Sequence, residues 1–336
     1  MATFYDRIGE NRRNSVLLAA IVIALLGALG LLVGWAVTGD PRAALPSTVL
    51  AIIVGLVASL VSYFAGDSIV LGVSGAKEVD EQSAPQLVNV VREISIAANL
   101  PMPKVYVIDD TAPNAFATGR DPAHASVAAT VGLLEKLDRE ELQGVIAHEL
   151  SHVRNYDIRF SLMVGVLVGS IALLADFFLR FGFWSGVGGR RGRDRDSGGG
   201  VLQVIVFVAA IVLAIIAPII GRLVQLAVSR QREYLADASG VELTRNPYGL
   251  ERALAKIAAD REVLEVANRA TQHLYFENPI KQWEPRASGL WSTHPNVLDR
   301  INRLRGLAGE QPVMSVDEVL GIEAPPKAGE IAAPVG

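Results

Sequence analysis

Four long apolar runs interrupt the polar pattern of the chain: about Val16–Val37, Ser47–Phe64, Phe160–Leu179 and Val201–Leu226. A helix needs roughly 20 apolar residues to cross the hydrocarbon core of a bilayer, so each run predicts a membrane helix and the chain reads as a mainly α integral membrane protein. Between the runs the pattern changes. Leu142, Val145, Ile146, Leu150 and Val153 recur at helical spacing behind Asp138-Arg139-Glu140-Glu141, an N-cap with an acidic residue at N3. Ser83–Leu100 also reads as a helix, Val105–Ile108 as a strand, and Ser126–Val131 as a second apolar stretch. Ser292-Thr293-His294-Pro295 opens a further helix that carries Leu298, Ile301 and Leu304. The organisation expected is a two-helix membrane anchor (1–65), a first catalytic part (66–159), an apolar hairpin (160–226), a second catalytic part (227–311) and a partly disordered, proline-containing tail (312–336).

The distribution of arginine orients these segments. Arg7, Arg12 and Arg13 precede the first run and only Arg42 lies in the loop that follows it, which puts the N terminus and residues 66–158 in the cytoplasm. The first run is too long for the core of a cleavable signal, so it reads as a signal anchor. The glycine-rich loop Phe181–Gly200 carries Arg190, Arg191, Arg193 and Arg195, and would lie outside if runs three and four both cross. They could instead form a hairpin that does not cross fully. Cysteine is absent, which removes thiolate metal sites, disulfides and a cysteine nucleophile. The net charge of −4 and the lack of a basic stripe argue against a nucleic-acid partner. The 336 residues suffice for a membrane part and one catalytic domain.

The chemistry centres on His148-Glu149-Leu150-Ser151-His152, an H-E-x-x-H motif on the predicted helix. Histidines at i and i+4 share one helix face and can hold one zinc ion, while the intervening Glu149 can take a proton from the attacking water. Catalytic zinc commonly takes two histidines and a carboxylate. Glu233, in Ser229-Arg230-Gln231-Arg232-Glu233-Tyr234-Leu235-Ala236-Asp237, is the candidate third ligand. Asp237, one turn later, can accept the spare ring N–H of a ligand histidine, His148 in this reading. Glu233 must meet His148 and His152, so the two catalytic parts lie on one side of the membrane. Asn114, Ala115, Phe116 and Ala117 either form an exposed edge strand that pairs with an extended substrate or belong to an ordinary core strand. His294 is either an oxyanion-stabilising group or a surface cap. Arg300 either stabilises the oxyanion or pairs with an acid. His124 and His273 fall outside any ligand spacing and read as surface or loop histidines.

Paired N-terminal membrane segments, N-A-F-A-T-G, H-E-L-S-H, an apolar hairpin, E-Y-L-A-D and S-T-H-P together resemble the HtpX heat-shock family of membrane zinc metalloproteases over about Met1–Leu307, and more distantly the CAAX prenyl proteases. The resemblance implies a mostly helical, zincin-like metallopeptidase domain with a small β-sheet in a multi-pass protein of the bacterial inner membrane. It implies a cytoplasmic active site that cleaves misfolded or damaged membrane proteins. Residue by residue it carries one zinc per chain to His148, His152 and Glu233, the catalytic acid to Glu149, and the aspartate of E-x-x-x-D to Asp237. His294 and Arg300 fall in its C-terminal pattern. Two rival readings are a CAAX-type processing protease and a non-enzymatic adaptor with structural zinc. The H-E-x-x-H helix is expected to run straight into the third apolar run at about Phe160, keeping the site close to the membrane surface.

Overall fold

The computed structural model describes residues 40–42, 44–158, 232–260 and 295–321, with scattered positions between 13 and 35 and residue 208. The third apolar run, the fourth apart from Val208, the loop 181–200, His273 and His294 lie outside the described residues.

The second apolar run forms helix α1 (Leu45–Val73), 29 residues long and bent by 67° between Val61 and Tyr63. No single helix among the described residues is long and apolar enough to cross a membrane; the two arms of α1 together are, by length and composition. The first run approaches it through small residues. A Cβ on Gly30 would lie 2.7 Å from the Cβ of Ala51, and the Ser47 hydroxyl donates to the Gly30 carbonyl at 3.0 Å. Gly34 meets Ser47 and Ala44 just as tightly. This G-x-x-x-G spacing lets two apolar helices touch backbone to backbone.

Four strands follow: β1 (Lys77–Glu78), β2 (Lys104–Ile108), β3 (Ala115–Gly119) and β4 (Ala125–Thr130). They form one mixed sheet in the order β1-β2-β4-β3, with β2 and β4 parallel and the other pairs antiparallel. Side chains alternate across a strand. Val105, Ala115, Ala117, Val127 and Ala129 enter the main core, while Ile108, Phe116 and Ala128 pack on Val70 and Leu71 of α1. The bent arm of the apolar helix is thereby fixed to the back of the sheet.

Helices α2 (Pro85–Ala97), α3 (Val131–Lys136), α4 (Arg139–Arg154), α5 (residues 232–244), α6 (Pro247–Ala259), α7 (Val297–Ala308) and α8 (Val316–Leu320) complete the fold. Helix α4 is central, packed between α2 and β3 on one side and α6 on the other, with α7 against α6. Its Leu142, Val145, Ile146 and Leu150 are fully buried. Each is worth roughly 1.5–3 kcal/mol relative to exposure, so packing rather than helix propensity holds α4 in place. The expected cap is present as a full capping box. Asp138 accepts from the Glu141 N–H at 2.9 Å, and Glu141 accepts from the Asp138 N–H at 2.8 Å.

Two expectations are corrected. Helix α4 does not continue unbroken toward the third run: it ends at Arg154, and Tyr156 takes a left-handed φ of 60°. The presumed tail, in turn, begins inside the fold. Val313 joins the main core, its backbone N–H and C=O both bonded to the Asn302 side chain, and Ser315 caps α8. Val316, Val319 and Leu320 pack against the same core and dock that stretch with Val313; residues beyond 321 lie outside the described ones.

Candidate metal centre

Ten residues into α4, the helix turns His148 and His152 toward α5. Gly240 allows this approach, since a Cβ there would stand 3.2 Å from the His148 backbone nitrogen. The result brings together His148, His152 and Glu233, which stands 85 positions beyond His148 in sequence. Their donor atoms all lie within 4.8 Å of one another. The two Nε2 atoms are 3.2 Å apart, His152 Nε2 is 3.5 Å from Glu233 Oε1, and His148 Nε2 is 3.6 Å from Glu233 Oε2. Zinc bonds of 2.0–2.2 Å to nitrogen and oxygen give a tetrahedron whose edges are about 3.4 Å. The donor set therefore fits a zinc ion in both chemistry and spacing.

Each histidine presents Nε2 to this point because Nδ1 is engaged behind it. His148 Nδ1 is 2.9 Å from Asp237 Oδ1, the pairing expected from the sequence. His152 Nδ1 is 3.1 Å from Asp157 Oδ2, a partner that motif spacing had not indicated. A hydrogen bond from Nδ1–H to a carboxylate selects the tautomer that leaves Nε2 as the donor atom.

Arg300 makes the acid pairing that was one of its two readings. It is completely buried and gives Asp237 two hydrogen bonds, Nε to Oδ2 at 2.9 Å and Nη2 to Oδ1 at 2.7 Å. Its Nη1 lies 3.6 Å from Glu233 Oε2 and its Nη2 3.4 Å from His148 Nδ1. It pairs with an acid behind the donors rather than facing solvent. Helix α7 delivers it on the same buried face as Ile301 and Leu304.

Glu149 is buried at 3% exposure, and the Ala117 N–H donates to its Oε2 at 2.8 Å. Burial is the main influence on its carboxyl and pushes the pKa up, against the lowering effect of the two histidines. For Asp237, burial would raise the pKa, but the Arg300 guanidinium and the hydrogen bonds from His148 and Arg300 outweigh it and hold the carboxyl below the ordinary range. Burial likewise opposes charge on His152, yet its bonds to Asp157 and Glu233 lift its pKa well above the ordinary histidine value.

The remaining candidates separate. Strand β3 is an edge of the sheet, and Ala117 turns its N–H away from β4 toward Glu149. Asn114 is buried, its Oδ1 accepting from the Ala115 N–H at 3.0 Å. The Phe116 side chain points into the packing against α1, away from Glu149. His124 sits in the turn Pro122–His124 beside Asp121, at 2.7 Å, as a surface histidine.

Comparison with known proteins agrees with this geometry. The model of peptidase family M48 matches residues 81–308. A Protease HtpX homolog of Streptococcus uberis is 42% identical over 301 residues, covering 90% of this chain and 99% of that relative. One from Ligilactobacillus salivarius is 42% identical over 302 residues, covering 89% and 98%. The crystal structure of S. mikatae Ste24p superposes with a TM-score of 0.47 at 17% identity, over 88% of this chain and 66% of that one. With an H-E-x-x-H helix and a converging third carboxylate inside the matched region, the chain belongs to peptidase family M48, among its HtpX-type proteases, and is a metalloprotease.

Proposed function

We propose that the chain is a membrane-anchored zinc endopeptidase that hydrolyses unfolded or damaged membrane proteins at the cytoplasmic face of a bacterial plasma membrane, with one zinc per chain. The convergence of His148, His152 and Glu233 beside the buried Glu149 carries the reading. Zinc held by these three residues would polarise the scissile carbonyl and lower the pKa of water to about 7. Glu149 takes the proton of the attacking water and returns it to the leaving amine. Its burial favours this step, because a carboxylate with a raised pKa is the stronger base. The Ala117 N–H fixes one carboxylate oxygen and so orients the group. Asp237, backed by Arg300, holds the His148 ring. An extended substrate would lie along the β3 edge beside Ala117, whose N–H already faces Glu149. His294 lies outside the described residues, and its proposed role at the oxyanion rests on the S-T-H-P pattern.

Membrane anchoring is supported by the apolar length of α1 and by the close contacts that Gly30 and Gly34 of the first run make with its N-terminal part. The arginine pattern supports a cytoplasmic site, and the position of β3 directly over the bent arm of α1 keeps that site near the bilayer.

The experiment is Glu149→Gln in the full-length protein in detergent, with casein as substrate. Glutamine keeps an acceptor for the Ala117 N–H but cannot take the proton. Zinc content should stay at the wild-type level while hydrolysis falls by roughly 10²–10⁴-fold, the loss typical of a general base. Near-normal cleavage by the zinc-loaded variant refutes the role of Glu149. Absence of wild-type cleavage under zinc-replete conditions would return the adaptor reading.

A further inference from the structure

We propose that Asp157 is a positioning residue of the metal centre, holding His152 as Asp237 holds His148, and that Arg232 anchors it to the helix that supplies Glu233. This rests on the zinc-peptidase reading above and adds residues that motif spacing does not reveal.

Asp157 lies five residues beyond His152. In a continuous helix that spacing is about 500°, some 140° away from the histidine's face, so the two side chains would diverge. The break after Arg154 changes this. Asn155 closes the helix, its N–H bonded back to the Ser151 carbonyl, and Tyr156 adopts φ 60°. A left-handed conformation is uncommon for a bulky residue and persists where the surroundings hold it. Here it folds the chain back, bringing Asp157 Oδ2 to 3.1 Å from His152 Nδ1. Asp157 itself is 3% exposed.

The other oxygen completes the arrangement. Asp157 Oδ1 is 3.4 Å from Arg232 Nε, and Arg232 immediately precedes Glu233 on α5. The centre is thus supported by two chains of the same kind. One runs Arg300–Asp237–His148, the other Arg232–Asp157–His152. In each, an arginine offsets the charge of a buried aspartate, and the aspartate accepts the histidine N–H. The second chain also crosses from the residues just after α4 to α5. It therefore sets His152 and Glu233, from two separate parts of the sequence, against each other. Fixing a ring's tautomer and direction in this way raises its value as a ligand, and loss of such support typically weakens metal affinity by about 10–100-fold.

The test uses full-length protein in detergent, stripped of metal and titrated with zinc against a chromophoric chelator, and in parallel with cobalt(II), whose visible absorption reports ligand geometry. Asp157→Asn should weaken zinc by about 10–100-fold and shift the cobalt bands of the saturated protein. Arg232→Gln should move both readouts in the same direction by less. A residue that only anchors the turn would lower the melting temperature yet leave the saturated cobalt spectrum as in wild type. Wild-type zinc affinity and a wild-type cobalt spectrum in Asp157→Asn overturn the proposal, whatever its melting temperature. Should that variant fail to fold, the same two wild-type readouts in Arg232→Gln overturn it. Wild-type protein that takes up no zinc would overturn the metal centre itself, and Asp157's role with it.

Discussion

Replacing Arg300 by methionine isolates the cost of the buried charges behind the metal centre. The guanidinium is fully enclosed, bonded twice to Asp237 and 3.6 Å from Glu233 Oε2. Methionine keeps an apolar stem of similar reach but leaves two buried carboxylates facing each other with less positive charge. Removing one partner of a buried ion pair costs about 3–5 kcal/mol. At about 2–4 °C per kcal/mol for a domain of this size, the metal-free variant should melt roughly 6–20 °C below wild type. A zinc ion held by His148, His152 and Glu233 would bring positive charge back to these carboxylates and would stabilise only the folded state, by about 4 kcal/mol at a thousand times Kd. The deficit should therefore shrink when zinc is saturating. Arg300→Met/Asp237→Asn removes both charges and should recover a large part of the loss. Thermal unfolding of wild type, Arg300→Met and the double variant, full-length in detergent, with and without chelator, measures all six combinations. A metal-free Arg300→Met that melts with wild type, or a double variant no better than the single one, would refute the reasoning.

Protonation supplies a second set of expectations. In metal-free protein the raised pKa of His152 makes its charged form stabilising, an effect fully present below the unfolded value of 6.5 and lost as pH rises through the folded value. Glu149, also raised, acts with the same sign, whereas Asp237 contributes stability that is lost only in acid, as pH falls through its lowered value. Chelated protein should thus become less stable as pH rises from about 6 to 9, while zinc affinity rises over the same range because the metal displaces the His152 proton; parallel slopes with and without zinc would contradict this. In Gly144→Ala, the new Cβ would stand 2.6 Å from the Leu250 nitrogen, backbone that cannot rotate away, so chemical denaturation should show a loss of about 1–3 kcal/mol. Reporter fusions after Ala65 and after Thr244 should both read cytoplasmic, since Glu233 meets the two histidines; opposite readings would be incompatible with the metal centre.

The chain's own residues determined a good deal. The 3.6-residue period behind Asp138 marked α4, because burial of one helix stripe leaves that trace in any sequence, and H-E-x-x-H on it announced two imidazoles on one face. The E-Y-L-A-D segment pointed to Glu233 and Asp237 because i and i+4 on one helix must share a side. Apolar length marked α1, but its 67° bend and its docking on the sheet did not show, since apolar residues suit lipid and protein core alike. The partner of Arg300 was likewise left open. That Arg300 pairs with Asp237, 63 residues away, was decided by how α7 packs, because a charge in sequence carries no address. Asp157 was hidden more deeply. Helical spacing points it away from His152, and only the left-handed turn at Tyr156, a conformation the surrounding structure imposes on a residue that disfavours it, brings the carboxylate back to the ring.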